Sequence, residues 1–325
     1  MIVYSCNRLT CEQLLISGVM TAIAEPIYVL FLLTILLRAR HDEHLRSAFF
    51  RLSLAAGAVD ILSTALLWFG LRLRMLGWFP AFYAIYGYVE GRVTMMTINW
   101  AGSVQLLLLL FVSANRFTAT MRPTKHRRFW TGRNTALAIA FSLLISTAIN
   151  GPFYPLVETA FVPMRNHSPF LEGVKVADSD DYVPLMLTLN ILLFFVVAPL
   201  VCALNTAVCA SLLYRAARRK EKTQSTAELQ LTLSTLLLFL LLAVGAVYAV
   251  QLQLKTDANY RDEFAFGVLV RDLATLCRPF LLLGCSSVLR RHCWALLRCA
   301  RGNQRQTTRR IIPAPPGVTP ASPRR

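Results

Sequence analysis

Apolar residues fall along this chain in seven long runs separated by polar gaps. A helix needs about 20 mostly apolar residues to cross a hydrocarbon layer about 30 Å thick, since each residue advances it by ~1.5 Å. The runs that qualify are Leu14–Leu37, Ala48–Leu71, Val93–Asn115, Thr135–Val157, Pro184–Tyr214, Leu229–Leu254 and Phe264–Val288. Hydrocarbon offers no partner to backbone N–H and C=O groups, so each run predicts a helix that satisfies them internally. The expected fold is an all-α membrane protein, a bundle of seven transmembrane helices over residues 14–288. Residues 1–13 read as a short polar segment ahead of the bundle. The run from Leu14 is too long for a signal-peptide core, so the first span is expected to act as its own insertion signal. In residues 289–300, Leu289, Cys293, Trp294, Leu296 and Leu297 alternate with Arg290, Arg291 and Arg298. That pattern predicts a short amphipathic helix along the membrane surface. Residues 301–325 are rich in Arg, Pro, Thr and Gln and cannot bury a core, so they are expected to be a disordered basic tail.

Composition agrees: 55% of the 325 residues are hydrophobic and 16% charged, against about 25% charged in soluble domains. The net charge of +17 raises the possibility of nucleic-acid binding, but the cations line no single soluble face. They lie in alternate gaps: Arg38, Arg40 and Arg46; then Arg116, Arg122, Lys125, Arg127, Arg128 and Arg133; then Arg215, Arg218, Arg219, Lys220 and Lys222. The stretch from Arg290 to Arg325 contains no acid, whereas the gap from Glu158 to Val183 is acidic. Lys and Arg are retained on the cytoplasmic side, so the amino terminus is expected outside the cell and the carboxyl terminus inside, in a multi-pass plasma-membrane protein. The cationic face would meet anionic inner-leaflet lipids.

Several chemistries find no support. The eight cysteines form no CxxC pair, and His41 and His44 lack the further ligands of a metal site. Neither a G-x-S-x-G elbow nor an HExxH motif is present. No cofactor, metal or catalytic residue is expected. Transporters often carry related halves, and no internal similarity is visible. Asn166 begins the N-x-S/T sequon of the acidic gap, a possible glycosylation site, and Cys293 and Cys299 are juxtamembrane candidates for palmitoylation.

The informative residues are polar groups inside the apolar runs, which cost free energy to bury. Glu25, Asp60 and Arg278 lie near the middle of spans one, two and seven. Counting rise per residue puts Asp60 and Arg278 at similar depth, so they are expected to pair with Glu25 nearby; separate satisfaction by water or backbone carbonyls is the other reading. Asn99, Trp100, Tyr248, Gln251, Arg271 and Asp272 lie nearer the external side. They are candidates to line a ligand pocket, or they hydrogen-bond helices together. At the inner end of the third span, Asn115-Arg116-Phe117 is either a two-state latch or a snorkelling arginine with its neighbours.

Asn115-Arg116-Phe117-Thr118, then Pro123, His126 and Trp130, resembles nematode serpentine chemoreceptors of the Srg/Srv group, within the G-protein-coupled receptor superfamily. Ser47 with Phe49-Phe50-Arg51-Leu52 and Asp60 is similar to that group as well, as are Asp272, Pro279 and Leu281-Leu282. The resemblance runs from about Leu14 to Arg298. It implies a chemosensory receptor that binds a small environmental ligand and activates a heterotrimeric G protein, with Asn115, Arg116 and Phe117 as the coupling switch. A seven-helix channel or transporter is the alternative. Rhodopsin-like features are missing: there is no cysteine for the disulfide at the outer end of the third span and no proline in the sixth. Arg278-Pro279 stands where Asn-Pro-x-x-Tyr is usual, and Asn115 replaces an acid.

Overall fold

The computed structural model describes residues 8–43, 45–73, 78–155, 159–163, 172–176, 182–218, 232–241, 243–244, 272–273, 275–284, 286, 289–295 and 298. Among these, five helices are long and apolar enough to cross a membrane: Leu15–Arg38, Ala48–Gly70, Val89–Met121, Gly132–Phe153 and Thr188–Arg215. Each overlaps one of the first five expected spans. They belong to α1 (Arg8–Arg38), α2 (Ala48–Leu67), α3 (Pro80–Met121), α5 (Gly132–Asn150) and α6 (Tyr182–Arg218). The short α4 (Pro123–Phe129) joins α3 to α5. Shorter apolar helices, α7 (Thr232–Leu241) and α8 (Thr275–Gly284), lie within the sixth and seventh expected spans. A final helix, α9, covers residues 289–295. The five membrane-length helices and the two shorter apolar ones fall on the seven spans that the apolar runs predict, as a seven-transmembrane helical bundle requires.

Three features depart from the simple pattern. Helix α3 begins at Pro80, well before the apolar run that starts at Val93. Glu90 and Arg92 interrupt the hydropathy there but not the helix, and Thr94 Oγ1 donates to Glu90 Oε1 at 2.9 Å one turn away. Helix α2 continues past Leu67 as a π-helical turn, Trp68–Arg72, which rotates the following side chains relative to an α-helix. The acidic gap holds a two-stranded antiparallel hairpin, β1 (Thr159–Pro163) and β2 (Glu172–Val176), with Thr159 opposite Val176. Its β-branched and aromatic residues favour an extended ribbon, a small addition to the helical bundle.

Packing inverts the usual inside and outside. Leu15, Ile16, Val19 and Ile23 on α1, and Leu192, Phe195, Val196 and Leu200 on α6, are exposed. Ser53, Asp60, Thr64, Gln105, Ser113 and Asn205 are buried. Such apolar surfaces suit lipid, while polar groups turned inward find partners on other helices. Helix α3 packs against α2, α5 and α6. Val104, Leu108 and Val112 of α3 meet Leu52, Ala56 and Val59 of α2, with Ala138 of α5 completing the cluster. On its other side Leu106 and Leu109 meet Val197 and Val201 of α6 and Phe239 of α7. A further cluster joins Tyr28, Phe31 and Ile35 of α1 to Phe50, Leu282, Leu289 and Cys293.

Gly57 sets the approach of α1 to α2. A Cβ there would stand 2.6 Å from Leu32 Cδ2 and 3.1 Å from Tyr28 Cε2. Small residues at such crossings let backbones come close. Gly57→Val is expected to force the helices apart at a cost of about 1–3 kcal/mol, read as a lowered melting temperature of the detergent-purified protein.

Candidate functional site

Buried polar side chains form a column through the bundle, and its centre is Asp60. This carboxylate is fully buried. Arg278 Nη1 donates to its Oδ2 at 2.7 Å, and the Tyr28 hydroxyl donates to the same oxygen. Gln105 Nε2 donates to Oδ1 at 2.5 Å. Helices α1, α3 and α8 thus converge on one residue of α2. Glu25 lies beside this node, and its buried Oε1 has no hydrogen-bond partner among the described residues. Sequence reading brought Asp60, Arg278 and Glu25 to one depth. It missed Tyr28 and Gln105, although Gln105 interrupts an otherwise apolar stretch of the third span.

A second buried ion pair lies toward the other end of α2. Arg72, turned inward by the π-helical segment, pairs with Asp272, and Ser17 Oγ donates to Asp272 Oδ2 at 2.5 Å. The Arg72 guanidinium also sits 4.7 Å from the centroid of the Trp68 ring, and Trp68 Nε1 donates to Thr21 Oγ1 at 3.1 Å. The π turn also engages α3 through its backbone, since the Tyr83 hydroxyl donates to the Phe69 carbonyl. Asp272 is therefore taken up by Arg72 and Ser17. Arg72 escaped sequence reading because the second span was ended at Leu71; the acidic partner in span seven was the available signal.

Amides link α3, α5 and α6. Ser103 Oγ donates to Asn190 Oδ1 at 2.5 Å, and Asn190 Nδ2 donates to Asn150 Oδ1 at 3.1 Å. Nearer the basic end, Asn205 Nδ2 donates to Ser113 Oγ at 3.0 Å. Trp100 Nε1 donates to Thr147 Oγ1 of α5 at 3.0 Å, a helix-to-helix contact, and the Asn99 carbonyl accepts from Ser103 Oγ at 3.0 Å. Tyr248, Gln251 and Arg271 lie outside the described residues, as do Asn166, Cys299 and residues 301–325.

At the basic end, the Arg116 guanidinium lies 4.5 Å from the centroid of the Phe49 ring, a cation–π contact between α3 and the start of α2. Asn115 is buried, with no partner for its Nδ2 among the described residues. Phe117 is half-buried. Pro123 starts α4 in its first turn, where its missing N–H costs nothing. The helix then folds back over Thr118: Trp130 Nε1 donates to Thr118 Oγ1 at 2.8 Å, and His126 Nδ1 lies 3.1 Å from the same oxygen. Burial, with a smaller effect from Arg127, holds His126 below the usual histidine range. Arg215 of α6 closes the end by donating to the Thr120 carbonyl at 2.7 Å.

Helix α9 docks on the bundle. His292 Nε2 lies 2.7 Å from Asp42 Oδ2, and Trp294 remains exposed. Cys293, one of the two juxtamembrane candidates for palmitoylation, is buried with its Sγ 3.3 Å from Thr34 Oγ1. It shares a face with Leu289 one turn earlier, and that face is the one turned to α1. Burial raises its thiol pKa, only partly offset by the Thr34 hydroxyl, so Cys293 is a poor nucleophile as placed. Among the described residues no cluster of three or more His, Cys, Asp or Glu could hold a metal.

Comparison with known proteins matches residues 18–299 to the family model "Serpentine type 7TM GPCR chemoreceptor Srv". "Serpentine receptor class V-1" of Caenorhabditis elegans is 29% identical over 156 residues, which are 47% of this chain and 48% of that protein. The match thus spans about half the length of that relative.

Removing one partner of a buried ion pair strands the other charge, at about 3–5 kcal/mol, whereas replacing both by apolar residues is often neutral. Asp60→Leu and Arg278→Met are each expected to lower the melting temperature sharply, with the double variant recovering most of the loss. His126 gives a pH dependence. Because its folded pKa lies below the ordinary 6.5, the unfolded chain takes up the proton first as pH falls. Its contribution to stability is therefore present above 6.5 and is lost on acidification below that value. Melting curves from neutral to mildly acidic pH should fall more steeply for the wild type than for His126→Gln.

Proposed function

Because the chain belongs to the serpentine type 7TM GPCR chemoreceptor family Srv, we propose that it senses a small environmental molecule and signals to a heterotrimeric G protein. The family is one of receptors, not enzymes, and no chemistry on the ligand is invoked. The ligand shifts the balance between two arrangements of the bundle by binding one of them better.

The observation that carries this reading is the pair of buried ion pairs joining α2 to the last span, Asp60–Arg278 and Arg72–Asp272. A shift of that span at the end away from the basic loops alters Asp272 and Arg278 together, and Asp60 passes the change to α3 through Gln105. Ligand contact is assigned to that end, near Asn99, Trp100 and Asp272, with Tyr248, Gln251 and Arg271 as further candidates. Lys and Arg clustering supports a cytoplasmic basic end and an extracellular amino terminus.

Arg116, with Asn115 and Phe117, is assigned the switch. Its contact with Phe49 is worth only about 0.5–1 kcal/mol at a partly exposed site, weak enough to break when the bundle rearranges. The basic segments Thr118 to Arg133 and Arg215 to Glu228 are assigned to the G protein.

A screen of volatile and water-soluble compounds on cells expressing the chain, read by calcium release, should find an agonist. Arg116→Ala is expected to abolish that response while leaving surface expression intact. Ligand-gated current in liposomes without G protein would replace this reading with a channel.

A further inference from the structure

At the basic end a cavity of about 220 Å³ opens between the loop after α1, the start of α2 and the start of α5. Its walls are cationic. Arg46 and Arg51 both line it. Arg46 is held by donating from Nε to the Ala39 carbonyl at 3.2 Å and from Nη2 to the Arg40 carbonyl at 2.8 Å. That anchoring fixes its charge at the rim with other N–H groups to spare. Arg51 is half-buried, and its guanidinium makes no hydrogen bond or ion pair among the described residues. It reaches across to α5, where a Cβ on Gly132 would stand 2.6 Å from Arg51 Nη1. Glycine at that position is what leaves room for the guanidinium.

The surroundings reinforce the charge. Ser47 is the N-cap residue of α2 but makes no side-chain cap bond, so first-turn N–H groups of α2 remain available beside the cavity. Gly132 opens α5, which brings a second positive helix end to the same walls. Buried Trp130 forms the base, and its indole N–H is already committed to Thr118. Among the described residues Glu43 is the one acid on the lining, and it is exposed. A cavity with two guanidinium groups, one of them uncommitted, fits a phosphate ester, whose oxygens take the charge-assisted bonds that arginine offers.

We propose that this cavity binds the phosphorylated headgroup of an anionic inner-leaflet lipid. The inference rests on the orientation proposed above, which sets the basic end against the inner leaflet. Basic pockets between helices on that side suit such headgroups, and the exposed Trp294 of α9 sits on the same end of the bundle, as an interfacial aromatic does. Occupancy would tie the loop after α1 to α2 and α5, beside the Arg116–Phe49 contact.

The test is equilibrium binding of a fluorescent short-chain phosphatidylinositol monophosphate to the purified full chain in neutral detergent, with phosphatidylcholine of equal chain length as the blank. Saturable binding is expected for the wild type, weakened about tenfold or more in Arg51→Gln, the loss of a charge-assisted bond. Gly132→Ala should weaken it too, since the new methyl displaces the guanidinium; alanine is well tolerated in a helix, so this variant carries the test if Arg51→Gln does not fold. Binding no tighter than to phosphatidylcholine, or unchanged in both variants, overturns the site. Equal competition by inositol monophosphate without acyl chains keeps the phosphate site and overturns the lipid. Neither agonist nor G protein enters the measurement, so its failure is distinct from failure of the receptor reading.

Discussion

A charge buried away from water has to be neutralised by a partner, because an unpaired buried charge is costly. The bundle meets this constraint twice between the same two helices, and with opposite polarity. Helix α2 carries Asp60 and then Arg72; the last span, running the other way, carries Asp272 and then Arg278. Sliding one helix past the other would bring like charges together, so the two pairs fix both register and direction. Along α2 the charges are ~18 Å apart and along the last span ~9 Å by helical rise. The long guanidinium arms take up the difference.

Much of the remaining structure serves this arrangement. Gly57 lets Tyr28 reach Asp60 from α1. The π-helical turn at Trp68–Arg72 turns Arg72 inward and frees the Phe69 carbonyl, which Tyr83 then satisfies. Gln105 connects the Asp60 node to α3, the helix in contact with α2, α5 and α6. From there α3 runs to the basic end, where Thr118 gathers His126 and Trp130, and where Arg116 rests on Phe49. The short motif that resembles a chemoreceptor family therefore has a local physical account. Its threonine, histidine and tryptophan build one hydrogen-bonded corner that holds α4 against the end of α3.

The two ends of the column differ in kind. Toward the hairpin end the contacts are buried, charged and costly to break, as Arg72–Asp272 is. At the basic end they are partly exposed and individually weak. A rigid column with a loosely latched end suits a protein in which a small movement at one end is read as a larger one at the other. In the proposed receptor, lipid bound at Arg51 would bias that latch.

Span positions, their number and the alternation of basic gaps are legible in the amino-acid order, because the cost of burying each side chain is nearly additive along a run. Depth is legible too: counting residues set Asp60 level with Arg278, and the two meet at 2.7 Å. Rotation about each helix axis is not. It is decided by packing between helices, so Tyr28 and Gln105 could not be told from other polar residues in apolar runs, and the order of residues did not show that Cys293 faces Thr34. Arg72 needed more still, since it lies past the end of the apolar run, on a π-helical turn that its sequence does not announce. The Arg51 cavity arises from segments far apart in the chain, Glu43 to Arg51 and Trp130 to Thr135. Sequence alone determined which residues leave water and how deep they go; the tertiary structure decided which of them meet, because partners depend on helix rotation and local helical geometry that no single run encodes.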